Sequence, residues 1–278
     1  MTHPFSRLLL ATEHGEFDTG AESLAIAMAQ RCQLPLPTVI PLPSNPEYEA
    51  IAPQIAARAE LEAARRINEL RALAQASHVA IDLQLRRGQE PYQDIIAEAR
   101  RQNSEIIIIR RRGRRSFLAN LLVGEMVTKV VAHAPCHVLI VPRQASMWGR
   151  KVLAAVEPTS QGRAVAALAA SVAQVCHLPL HLLSVVHARN EQPQVQDFLT
   201  EQAANFRLKA IDTQTEVRVG TPFEEILAAA QATGADLLVL ASRGERQLGR
   251  SAVGGVVQKV LGLSELPVLV MKPSTVES

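Results

Sequence analysis

An internal duplication constrains this chain more than any other feature. Arg7-Leu8-Leu9-Leu10-Ala11-Thr12-Glu13 is echoed 144 positions later by Lys151-Val152-Leu153-Ala154-Ala155-Val156-Glu157. At the same offset, Cys32-Gln33-Leu34-Pro35-Leu36 is echoed by Cys176-His177-Leu178-Pro179-Leu180. Farther along, Ile95-Ile96 and Gly113 are matched by Ile226-Leu227 and Gly244, 131 positions later. Val127, Lys129 and Val130 are matched by Val257, Lys259 and Val260 at an offset of 130. Matches kept in order identify one folding unit present twice. The join falls around Gln144 to Arg150, which predicts domains at 1–145 and 150–274. The shrinking offset places an insertion in the first copy, between Pro41 and Ala76. Its stretch from Glu47 to Ala74 is rich in Ala, Glu, Arg and Leu, all good helix formers. Glu62 and Arg66 stand four apart there, the spacing of a solvated helical pair. The matching segment of the second copy, Gln192 to Lys209, predicts a shorter helix.

Within each copy, strand and helix signals alternate. Leu8–Thr12 is a short apolar run, and Glu22–Arg31 is Ala-rich with a helical period. Ser104–Ile109 ends in four isoleucines, the pattern of a strand buried on both faces, and Asp236–Leu240 is its counterpart. Tyr92, Ile95, Ile96 and Ala99 share one helical face, a spacing repeated by Phe223, Ile226, Leu227 and Ala230. Val138–Val141 and Val268–Met271 close the two copies as strands. The expected fold is α/β: two tandem open parallel five-stranded sheets, each flanked by helices and joined by right-handed crossovers.

Composition narrows the function. Of 278 residues, 47% are apolar and 20% charged, an ordinary globular balance. The formal charge is +2, so the chain is no polycation. Aromatics at 3% are too few for a base-stacking platform, and nucleic acid is not the expected partner. No run approaches the ~18 apolar residues of a membrane span, so no membrane partner is expected. Met1-Thr2-His3-Pro4 lacks a basic region followed by an apolar one, so no secretion signal is expected. Cys32, Cys136 and Cys176 lack CxxC spacing and read as reduced thiols of a cytoplasmic protein.

Open parallel sheets bind ligands beyond the carboxyl ends of their strands, where the strand order reverses. Two loops per copy qualify. One follows the first strand and carries Glu13-His14-Gly15 or Glu157-Pro158-Thr159. The other follows the fourth strand. In the second copy it reads Ala241-Ser242-Arg243-Gly244, then nine residues, then Gly254-Gly255. Glycines let a backbone approach a phosphate, and a helix starting at Gly254 would aim its free amides at one. Arg243, Arg246 and Arg250 add positive charge. The same residues read equally as a turn and a helix cap.

The duplicated unit resembles the universal stress protein family over nearly the whole chain, twice. That family carries a strand ending in Gly, two residues, Gly, nine residues, Gly, then Ser or Thr. A helix and a terminal strand of His-Ala-Pro-Cys-Pro-Val-Leu-Val type follow, and His133-Ala134-Pro135-Cys136-His137-Val138-Leu139-Ile140-Val141 matches that element. The resemblance implies an adenine nucleotide such as ATP as ligand. Its phosphates would lie on the glycine loop, and its adenosine near the acidic residue after the first strand. In the second copy the implied site comprises Glu157, Ser242, Arg243, Gly244, Gly254 and Gly255, with Ala241 replacing the first Gly and Gly255 the hydroxyl residue. The first-copy equivalents are Glu13, Arg112, Gly113 and Gly124. There Arg110 replaces the first Gly, ten residues separate Gly113 from Gly124, and Glu125 stands where a hydroxyl is expected. A carboxylate beside polyphosphate is repulsive, so binding is expected mainly in the second copy. The resemblance further implies an intramolecular pseudo-dimer of the two domains, with the two terminal strands meeting, and leaves a homodimer open.

The run Arg110-Arg111-Arg112-Gly113-Arg114-Arg115 has two readings. It clamps a phosphate or acidic partner through guanidinium forks, or it is structural, either a solvated loop or a run that pairs with carboxylates of the other repeat. His177 and His181 straddle Pro179, as His133 and His137 straddle Pro135, so neither pair forms a metal site of helical spacing. Neither GxSxG nor a Walker A sequence is present, and no general base with an orienting partner stands out. No catalytic residue or metal ligand is assigned. The expected role is adenine-nucleotide-responsive stress regulation. A module for protein interaction without nucleotide is the alternative, and an ATP-hydrolysing enzyme is disfavoured.

Overall fold

The computed structural model describes residues 4–13, 15, 17–43, 51, 53–111, 124–242 and 253–272. The chain divides into two compact units, one holding Phe5–Arg112 and Glu125–Met147 and the other Trp148–Ser278.

In the first unit the strands are β1 (Leu8–Ala11), β2 (Leu36–Pro43), β3 (Ile81–Gly88), β4 (Ile106–Arg110) and β5 (His137–Val141). They run parallel in the order β3-β2-β1-β4-β5. Between them lie helices α1 (Thr19–Cys32), α2 (Pro53–Ala76), α3 (Pro91–Arg101) and α4 (Glu125–His133). The second unit repeats the plan with β6 (Val152–Ala155), β7 (Leu180–Val186), β8 (Thr213–Val219), β9 (Leu237–Ala241) and β10 (Val268–Met271). Its parallel order is β8-β7-β6-β9-β10. Its helices are α5 (Ser160–Cys176), α6 (Gln192–Arg207), α7 (Pro222–Thr233) and α8 (Gly255–Leu263), with a 3-10 turn at Arg189–Glu191. The strand order therefore reverses between β1 and β4, and again between β6 and β9.

Burial explains the elements. Ile106, Ile107, Ile108 and Ile109 are buried, as are Leu237, Leu238 and Val239, because helices cover both faces of each central strand. Ala21, Ala25 and Ala29 of α1, and Ala166, Ala169 and Ala173 of α5, are fully buried, small residues where each helix lies close on its sheet. The repeated Cys-X-Leu-Pro-Leu segment proves to be a helix end. Gln33 and His177 both adopt left-handed backbone (φ 53° and 55°). Leu34 and Leu178 donate their amides to Ala29 and Ala173, closing both helices alike. The insertion begins later than expected, because β2 continues to Pro43, and its helix runs Pro53–Ala76. Within it Arg66 pairs with Glu62 at 3.9 Å. The three cysteines form no disulfide. No described helix is long and apolar enough to cross a membrane.

On α3, Glu98 is buried and accepts hydrogen bonds from Arg101, Arg86 and Gln102. These donors, Arg101 foremost, hold its carboxyl down at about 2 against an ordinary 4.5. A depressed carboxylate stabilises the fold above its unfolded pKa and loses that contribution as pH falls through its folded one. Urea titrations from pH 6 to pH 2 should therefore show a loss of ~1–2 kcal/mol attributable to Glu98, modest because both arginines are half-exposed. Glu98→Gln should flatten that part of the pH profile.

Candidate functional site

The second unit opens a cavity of about 500 Å³ at the carboxyl ends of β6, β7 and β9, the reversal point of its sheet. Glu157 and Thr159 line it from the turn between β6 and α5. That turn is built from backbone and a cap: the Thr159 amide donates to the Glu157 carbonyl at 2.7 Å, and the Thr159 hydroxyl accepts the Gly162 amide at 2.9 Å. Gly162 is required by close approach, since a Cβ there would lie 1.9 Å from the Glu157 carbonyl oxygen. Val185 and His187 line the cavity from the end of β7, and Glu191 from the 3-10 turn. The Ser184 hydroxyl donates to the Val156 carbonyl, tying the ends of β6 and β7 together.

Ala241, the last residue of β9, and Gly254, ahead of α8, close the remaining side. The Gly254 amide donates to the Ser242 carbonyl at 2.9 Å, which fixes the start of α8 against the strand end. Gly254 is extended (φ −65°, ψ 144°), so the following amides of α8 open the helix at this edge of the cavity. The arrangement is a mixed apolar and polar cleft with a helix N-terminus at one edge and a carboxylate at another. Such a cleft suits a ligand with a flat apolar part, hydroxyls and an anionic end.

At the equivalent place in the first unit stands an arginine. Arg110, the last residue of β4, is 4% exposed. Its Nη1 donates to Asp18 Oδ2 and its Nη2 to Glu13 Oε2, both at 2.7 Å. The Gly15 amide also donates to Asp18 Oδ2, at 2.8 Å. Burial pushes the Asp18 carboxyl up, against the pull of Arg110. From α2, Arg66 donates to the Glu13 carbonyl at 3.1 Å. The expectation that the arginine run pairs with carboxylates of the other repeat is thus corrected at its first member. Arg110 pairs within its own repeat, because the end of β4 lies beside the end of β1.

The family model for the universal stress protein family matches residues 4–142 and again 149–272. The chain belongs to the universal stress protein family. A Bacillus subtilis universal stress protein, YxiE, is 29% identical over 113 residues, 40% of this chain and 74% of that one. The Methanocaldococcus jannaschii universal stress protein MJ0577 is 33% identical over 98 residues, 32% of this chain and 58% of that one. The crystal structure of a universal stress protein from Archaeoglobus fulgidus shares the fold, with a TM-score of 0.74 at 19% identity, covering 97% of both chains.

In this tandem universal stress protein, Glu157 and Gly254 come together around the cavity. Ser242 is buried, and its backbone carbonyl accepts the Gly254 amide. Gly255 is the first residue of α8, exposed, with open space around it. Arg243 and Gly244, like Arg112, Gly113, Arg114 and Arg115, lie outside the described residues. Gly124 immediately precedes α4. Glu125 opens that helix, exposed and paired with Lys129 at 3.0 Å. Sequence reasoning missed the end of β7 and Glu191. Their only signal was position, beside the first strand of the repeat.

Proposed function

We propose that this protein is a stress-response regulator that binds an adenine nucleotide, ATP among them, in its second domain. The observation that carries this reading is the second-domain cavity, which brings Glu157 and Gly254 to one cleft at the reversal point of the sheet. On this reading the base and ribose lie along the end of β7 near Glu157, and the phosphates lie toward the amides of α8. Ser242, Arg243 and Gly244 complete the phosphate side, and Gly255 supplies an amide without the usual hydroxyl. The chain works as an intramolecular pair of stress protein domains of unequal binding capacity. No catalytic residue is assigned.

Calorimetry with ATP, together with mass spectrometry of nucleotide carried through purification, tests the reading. Gly254→Val should weaken ATP binding at least tenfold, about 1.4 kcal/mol, by setting a branched side chain into the cleft. Extended backbone accepts valine without strain, and because Gly254 is buried, melting curves read alongside calorimetry separate loss of the site from loss of the fold. No ATP binding by the wild type would overturn the nucleotide reading. It would favour a module for protein interaction, which the clamped Arg110 at the first-domain position and the missing hydroxyl at Gly255 already favour.

A further inference from the structure

Both domains present the same structural position and furnish it differently. Arg110 and Ala241 are each the last residue of the strand beside the domain's first strand. Glu13 and Glu157 each stand two residues beyond that first strand. In the second domain Ala241 and Glu157 line an open cavity. In the first, a guanidinium lies at this position with two carboxylates around it. We propose that Arg110 is a built-in occupant of the first domain's ligand position, held by Glu13 and Asp18 and closing it, so that the chain accepts ligand in one domain only. This inference rests on reading the second-domain cavity as a ligand site.

Three observations carry it. Both terminal nitrogens of the guanidinium are engaged at 2.7 Å by different carboxylates, a geometry that holds the planar fork in place. Asp18 is 1% exposed and shares its Oδ2 with the Gly15 amide, so withdrawal of Arg110 would leave a buried carboxylate without its counter-ion. The guanidinium is also already committed. Each terminal nitrogen is engaged by a carboxylate, so a phosphate would have to displace Glu13 or Asp18 to reach it. Among the described residues, Arg110 Nε and Asp18 Oδ1 are buried without a hydrogen-bond partner. Packing alone does not call for such a pair at a strand end, and Ala241 serves the same place in the second copy.

Two exchanges test this. Ala241→Arg should install a guanidinium beside Glu157 and lower ATP affinity at least tenfold, with the fold intact. Unchanged ATP binding by this variant would overturn the inference. Arg110→Ala should lower the melting temperature and leave a guanidinium-shaped vacancy. Millimolar methylguanidinium should then raise its melting temperature saturably, while tetramethylammonium, which cannot donate hydrogen bonds, should not. Wild type, and Arg110→Ala combined with Asp18→Asn and Glu13→Gln, should not respond. An Arg110→Ala protein as stable as wild type, or one indifferent to methylguanidinium, would overturn the inference even if no variant binds ATP. Should Arg110→Ala fail to fold, the neutral triple variant is read by crystallography under xenon pressure. Xenon at the guanidinium position supports a vacated site, and a collapsed strand end overturns it.

Discussion

Arg110→Ala is expected to cost about 3–5 kcal/mol of stability, the usual penalty for removing one partner of a buried ion pair. The cost arises from what remains. Asp18 is fully buried and Glu13 half-buried, and both lose the guanidinium that compensates them. The deficit should also depend on pH in a defined direction. Burial already raises the Asp18 carboxyl, and Arg110 is the main influence opposing that rise. Without Arg110 the folded-state pKa climbs further above the unfolded one. A raised carboxyl favours the protonated fold, so the variant should recover stability relative to wild type as pH falls through that value. Urea denaturation at pH 8 and pH 5 checks this: the gap should be largest at pH 8 and smaller at pH 5. A gap independent of pH would mean that the lost stability is packing rather than charge.

Gly162→Ala should destabilise the second domain by about 3 kcal/mol, the upper range for forcing atoms into a filled site. The sign runs against intuition, because Gly→Ala within a helix ordinarily gains up to about 1 kcal/mol. Here the new Cβ would fall 1.9 Å from the Glu157 carbonyl oxygen, and backbone atoms cannot rotate away. Either the start of α5 or the β6–α5 turn must shift, and the turn carries Glu157 into the cavity. Loss of stability should therefore come with loss of ligand affinity. Gly255→Ala is the matched control. It too lies in a helix's first turn, but nothing stands within 4 Å of its added Cβ, so it should be neutral or gain a few tenths of a kcal/mol. Denaturant midpoints of the two variants should move apart from wild type. A stable Gly162→Ala protein would show that the turn at Glu157 is softer than its geometry implies.

Much of the architecture was legible in the order of residues. Burial on both faces writes itself into a central strand as an unbroken β-branched run, and Ile106–Ile109 shows it. A helix against a sheet writes a 3.6-residue period, as at Ile95, Ile96 and Ala99. The duplication then supplied the domain plan, since the second copy repeats every element in order. Glu157 and Gly254 were also legible as neighbours, because strand ends at a reversal point converge in any sheet of this type.

The state of each site was decided only in three dimensions. Arg110 read as the first member of a basic loop run, yet it is a buried strand residue whose partners lie 92 and 97 positions away in sequence. Nothing local distinguishes a solvated arginine from a clamped one. The difference lies in which carboxylates the packed chain delivers within 3 Å and in how much water it excludes. The same holds for Arg66, whose exposed helical spacing gave no hint that it reaches the carbonyl of Glu13. Periodicity reports what each residue does to its own element, and so it reveals strands, helices and their repeat. Ion pairs and cavities depend on distances between elements, and those arise only when the sheet has formed and set the ends of β1 and β4, or β6 and β9, side by side.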